Sequence, residues 1–319
     1  MSEPAELVLD VEGLSALTAP VLLIALTGLF DVANVATTAL DYIAGPDTTG
    51  RERSVVVGEI DPDPFYDFTV ERPTVEILDD DERVLNWPSN VFRVVRTGAA
   101  HDLVVLSGVE PHLRWGGFVR CILSVIDQLG VLTVVTLGST ADVTPHTRMP
   151  LVVGSTSDRA LASDLALAAP SYQGITGLVG VLHTALETAG IPSVSLRVGV
   201  PHYLAMGEHP RAVTSLVLHT SHVVGVPLAI DLRESIDSWD EAHSASIAED
   251  DKLRRYVEIL EAEYDRRAEA AVTPGEDLAA SFEAFLREDD GTRGEHPAGG
   301  GPGEDDAPSG DDSDGSPDS

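Results

Sequence analysis

Short runs of β-branched and aliphatic residues alternate along this chain with segments whose apolar positions recur every three to four residues. These are the patterns of buried strands and of helices packed on one face. The clearest unit lies in residues 101–148. Residues 103–106 form a buried-strand run, ended by Gly108, Glu110 and Pro111. Phe118, Val119, Ile122, Leu123, Ile126 and Leu129 then repeat at helical spacing, Gly130 stands where a helix C-terminal cap belongs, and residues 131–137 make a second strand run closed by Gly138. A strand, helix, strand order implies parallel strands joined by a right-handed crossover.

The same reading extends in both directions. Residues 21–26 predict a strand, followed by a turn at 28–32 and a helix carrying Val35, Ala36, Ala39, Leu40 and Ile43, with Asp31 as its cap. Residues 55–57 continue as a strand into Glu59 and Ile60. Residues 74–78 and 91–95 read as an antiparallel pair, with the turn 79–83 and Trp87-Pro88 between them. Residues 151–154 predict a strand, and Asp158 opens a helix with Leu161, Leu165 and Leu167. Leu178, Val181, Leu182, Ala185 and Leu186 mark another helix, residues 194–198 a strand, and Pro210 the first position of a further helix. Beyond Leu232 no strand pattern remains. Ile236, Trp239, His243 and Ile247 form one helical stripe, and Leu253, Tyr256, Val257, Leu260 and Tyr264 another. A capping box at 273–276 opens a last short helix through Leu278, Phe282, Phe285 and Leu286. The expected organisation is an α/β domain over residues 1–231, a helical segment over 232–288 packed on it or at a subunit contact, and a disordered acidic tail over 289–319.

Charge narrows the partners. The net charge is −33, of which about −9 belongs to residues 289–319. Such a chain is not expected to bind nucleic acid or anionic membranes, and favours solubility or basic partners. The single cysteine, Cys121, lies on an apolar helix face and reads as a buried structural thiol. The N-terminal segment has no Lys or Arg before Arg51 and does not read as a signal peptide, so a cytoplasmic location is expected.

Candidate chemistry gathers where strands end. Glu110, His112, Arg114 and Trp115 follow one strand; Asp142, His146 and Arg148 follow the next; His202 and Tyr203 follow a third. In open parallel sheets ligands meet this carboxyl edge. Gly174, Gly177 and Gly180 precede a helix, where free N–H groups can cradle an anion or glycines can allow a tight turn. Glu110, Arg114 and Arg148 are placed to pair within a cleft or to fix loops. The acids of DPDPFYDF (61–68) miss the calcium-loop pattern, with Tyr66 at its sixth position and Arg72 at its twelfth, so they read as turn formers. No His-Glu-x-x-His pair is present, and Val105 replaces the first glycine of a nucleophile elbow before Ser107. No metal and no cofactor is expected. The binding face is assigned to Glu110, His112, Arg114, Trp115, His146, Arg148, Gly174, Gly177, His202 and Tyr203.

The ordered set DPDPFYDF, Glu71-Arg72-Pro73, Trp87-Pro88, SGVEPHLRW, DVTPHTR, YQGITGLVGVL, VPHYL with Pro210 beyond it, and EDDKLRRYVEILE resembles the proteasome assembly chaperone 2 family in its actinobacterial branch. The resemblance runs from about residue 21 to about residue 287. It implies a three-layer α/β/α sandwich with a mostly parallel sheet, nucleoside-phosphorylase-like in outline. It also implies self-association, with a trimer as first guess, and a protein-binding or assembly role, with proteasome subunits as partners by family analogy. Family members are binding proteins rather than enzymes; a hydrolase- or phosphorylase-like small-molecule site in the strand-end cleft is the alternative. Relatives commonly read Phe-Glu-Gly-Trp-Asn-Asp-Ala-Gly at the first strand-turn, where this chain has Leu26-Thr27-Gly28-Leu29-Phe30-Asp31-Val32-Ala33. The sequence ends Ser316-Pro317-Asp318-Ser319, so docking through a hydrophobic-Tyr-any-residue tail, as in archaeal chaperones of this kind, is not expected.

Overall fold

The computed structural model describes residues 4–46, 53–78 and 82–272. In chain order the strands are β1 (Leu7–Leu9), β2 (Val21–Thr27), β3 (Ser54–Ile60), β4 (Thr74–Ile77), β5 (Arg83–Asn86), β6 (Asn90–Val95), β7 (Leu103–Val109), β8 (Thr133–Asp142), β9 (Val152–Ser155) and β10 (Ser193–Pro201). The helices are α1 (Val35–Ala44), α2 (Trp115–Leu129), α3 (Arg159–Asp164), α4 (Leu178–Thr188), α5 (Pro210–Val224), α6 (Arg233–Ala248) and α7 (Asp251–Val272).

Eight strands form one sheet in the order β1-β3-β6-β7-β2-β8-β10-β9. The central four, β7, β2, β8 and β10, are parallel, and the flanking strands join antiparallel. The strand, helix, strand unit of the sequence is present, with β2 inserted between its two strands. β2 shows why central strands read as unbroken apolar runs: Val21, Leu23 and Ala25 enter one core, while Leu22, Ile24 and Leu26 enter the other. α1 and α5 contribute to the first core, and α2 and α4 to the second. The architecture is thus an α/β/α sandwich. Cys121 is fully buried in the second core, and burial pushes its thiol up to about 11. Gly130 caps α2 in the left-handed region, its N–H reaching the carbonyls of Ile126 and Asp127.

One expected pairing is wrong. Residues 74–77 do not pair with 91–95. β4 pairs with β5 as a separate hairpin, while β6 lies between β3 and β7 in the main sheet. β5 begins at Arg83, the last residue of the expected turn, and its Arg83, Leu85 and Asn86 are exposed, so burial left no apolar alternation to read. β1 was likewise too short to register as a run. α3 stops at Asp164, before Leu165 and Leu167, although both leucines still pack on the first core.

The register steps the carboxyl edge of the sheet. Thr27 of β2 lies opposite Val109 of β7, whereas Asp142 of β8 lies opposite Pro201 of β10. Because Ile24 pairs with Thr136, β8 and β10 run three residues past β2 and β7, about 10 Å of strand. The rim therefore has a lower step over β7 and β2 and an upper step over β8 and β10. One compact unit ends at Asp265, and the described residues beyond it, 266–272, continue α7. The expected capping box, last helix and acidic tail lie outside the described residues. No helix among the described residues is long and apolar enough to cross a membrane.

Candidate functional site

Glu110 organises the lower step. Its N–H extends the pairing of β7 to the Thr27 carbonyl at 2.9 Å. Its carboxylate then accepts from Leu29 N at 3.1 Å and from Leu178 N, the first residue of α4, at 2.9 Å. Gly28 adopts φ +146°, and a Cβ there would fall 2.7 Å from Glu110 Oε2; one on Gly177 would fall 3.0 Å from Oε1. Both glycines are therefore needed for the carboxylate to reach the two backbone groups. The anion at the α4 N-terminus is the chain's own Glu110, which complements the helix dipole and ties two loops together.

Asp31 supports the same turn from beneath. It is buried and accepts from Ala36 N at 2.7 Å and from the Thr37 hydroxyl at 2.6 Å, so it caps α1 as expected, though from four residues before the first helical position. Burial pushes its carboxyl up, and those hydrogen bonds act against the shift. Ala33 (φ +57°) and Asn34 (φ +54°) are both left-handed, a strained pair of non-glycine residues.

His112, Arg114 and Trp115 serve the loop at 61–68. The Phe65 carbonyl accepts from His112 N at 2.9 Å and Leu113 N at 3.0 Å, and the Phe65 ring stands edge-on to Phe118 at 5.4 Å. Tyr66 donates to the Val109 carbonyl at 2.5 Å and accepts from Asn90. Arg114 lies over Phe65 and pairs with Glu6 at 2.9 Å; Trp115 donates to the Pro111 carbonyl at 2.6 Å. Asp61 and Asp67 accept from their own loop, as turn-forming acids do. Two prolines and two buried aromatics make this segment a wedge against the start of α2. Among the described residues, no group of three His, Cys, Asp or Glu side chains could hold a metal ion.

On the upper step the expected residues meet α6 and α7. His146 N–H donates to the Tyr203 hydroxyl at 2.8 Å, and that hydroxyl lies 2.9 Å from His146 Nδ1. A hydroxyl that accepts from the backbone donates its own proton to Nδ1, which leaves Nε2–H facing Ser244 Oγ at 3.4 Å. Burial lowers the His146 pKa and raises Tyr203 to about 12, so both are neutral near pH 7. Arg148 holds Asp265 through two bonds of 2.9 and 2.8 Å and reaches Glu261 at 3.4 Å. Thr147 donates to Glu261, Tyr264 to the Met149 carbonyl at 2.6 Å, and Arg211 pairs with Asp240. His202 stands 3.0 Å from the Asp142 carbonyl and 3.4 Å from the Tyr256 hydroxyl. The cavity between His146, Arg148, Arg211 and Trp239 measures about 10 Å³, room for about one water molecule.

The residues of the expected face are therefore divided in their contacts. Glu110 and Gly177 meet; His112, Arg114 and Trp115 form a second group; His146, Arg148, His202 and Tyr203 sit with α6 and α7. Gly174 stands apart, in a turn where Tyr172 donates to the Ile175 carbonyl at 2.9 Å. Glu110, Arg114 and Arg148 do not pair with one another: each finds a nearer partner in Leu29 and Leu178, Glu6, or Asp265. Ser244, Tyr256, Glu261 and Asp265 were missed. They lie 54 to 117 residues downstream of their partners, on helices whose sequence reveals an apolar stripe but not the rim it packs against.

The family model described as PAC2 family matches residues 25–245. A solved PAC2 family protein from Streptomyces avermitilis is 35% identical, covering 75% of this chain and 99% of its own, with a TM-score of 0.67. A Mycobacterium tuberculosis structure described as a proteasome-assembly chaperone homologue is 36% identical, covering 74% and 99%, with a TM-score of 0.66. An archaeal proteasome activator from Pyrococcus furiosus, 14% identical over 76% of this chain and 97% of its own, shares the fold at a TM-score of 0.55. A search of curated proteins finds no match. The chain belongs to the PAC2 family.

Proposed function

We propose that this protein is a self-associating assembly factor that binds another protein through the stepped rim of its sheet. The observation that carries the reading is the match to a proteasome-assembly chaperone homologue across nearly all of that chain. The rim is compatible with it. Its polar side chains brace loops and helices, giving a shaped and rigid surface of the kind a protein partner can dock on without large rearrangement. By family analogy the partners are proteasome subunits, and the protein acts in the cytoplasm without a cofactor.

Affinity capture of the tagged full chain from a native lysate, followed by light scattering of the purified protein, tests this. The expected result is a mass that is a multiple of the single chain and reproducible recovery of one defined protein partner. Repeated recovery of nothing but the chain itself contradicts the assembly role.

A further inference from the structure

Five loops lie along the rim, and each exposes at least one large apolar side chain. Leu29 follows β2, Leu113 follows β7, Val143 follows β8, Met206 follows β10, and Ile175 precedes α4; their exposures run from 50% at Leu113 to 94% at Ile175. Three of the turns holding them are tied by internal bonds. Glu110 ties the Leu29 turn to the start of α4, the Phe65 carbonyl holds Leu113 N, and Asp142 Oδ1 accepts from Val143 N at 2.7 Å. Apolar groups on fixed loops at one edge are the usual anchors of a protein interface.

Exposed carboxylates stand beside three of these tips. Asp67 near Leu113, Asp142 next to Val143, and Glu208 two residues after Met206 are exposed, and none of the three forms an ion pair among the described residues. Arg114 and Arg148 of the same edge are neutralised by Glu6 and by Glu261 and Asp265. We infer that the five tips form a docking surface for a protein whose own apolar patch is ringed by Lys and Arg. A second copy of this chain, at net charge −33, is the wrong complement. The inference rests on the protein-binding reading above and names the chemistry of its partner.

The test places a photocrosslinking amino acid, in the full chain in its native cells, at position 175 or 206 and at two distant controls, Leu132 and Val75. The protein crosslinked at the tips is then purified and titrated against the chain. The expected result is a heterologous adduct at 175 and 206, with affinity that falls about tenfold in Ile175→Ser/Met206→Ser at unchanged melting temperature. Asp142→Asn/Glu208→Gln should slow association and flatten its salt dependence. Adducts to a second copy, adducts at the controls alone, or binding unaffected by the tip substitutions overturn the inference. A heterologous adduct at the controls alone leaves the assembly role standing and removes only this surface; no heterologous adduct anywhere removes both.

Discussion

A single carboxylate decides the lower step of the rim. Glu110→Ala leaves the N–H groups of Leu29 and Leu178 without their acceptor, and should lower stability in urea unfolding by about 1–3 kcal/mol. Glu110→Gln, which keeps one acceptor oxygen, should lose less. Ala33 is the opposite case. The family pattern places glycine where this chain carries Ala33 at φ +57°, and Ala33→Gly should raise stability by about 1 kcal/mol by removing left-handed strain. Histidines set the pH response. His183 bridges Thr136 and Ser193, and burial lowers its pKa from 6.5 to about 4. Burial also lowers His146 and His209. The unfolded chain therefore binds protons first as pH falls. Stability should be level above about pH 6.5 and should decline between 6.5 and 4, by up to about 3 kcal/mol from His183 alone. Urea midpoints across this range check it; a flat profile down to pH 4 would contradict the burial of these imidazoles.

At the level of elements, the contrast between β2 and β5 explains what the sequence disclosed. β2 is buried on both faces, so its apolar run could be read directly, as could α2 with Phe118, Val119, Ile122, Val125 and Ile126 inward. β5 is exposed and pairs only with β4, so nothing in its pattern separated strand from turn. The site divided along similar lines. That polar residues follow the ends of β7, β8 and β10 was legible, because parallel strands send their ends to one edge. Which partner each residue takes was not, because Arg148 and His146 answer to α7 and α6, more than ninety residues on. Polar contacts supply much of that docking. Arg148→Ala should cost about 1 kcal/mol, since its pairs are partly exposed, and should speed hydrogen exchange in residues 251–265 while leaving β2 and β7 unchanged.

For the whole molecule, a family fold positions a surface. The parallel centre of the sheet fixes where its loops emerge, the register offsets them into two steps, and internal bonds hold their backbones still. Polar side chains assigned in the sequence to a binding face make bonds that brace that scaffold, while isolated apolar residues in the loops, too sparse to form any periodic signal, face outward. The most direct test of the rim as a protein-binding face is hydrogen exchange of the full chain, free and bound to its captured partner. Protection is expected in the loops at 28–31, 110–114, 142–149, 172–178 and 202–208. Protection confined to the β4–β5 hairpin or to the opposite edge near Leu132 would contradict it.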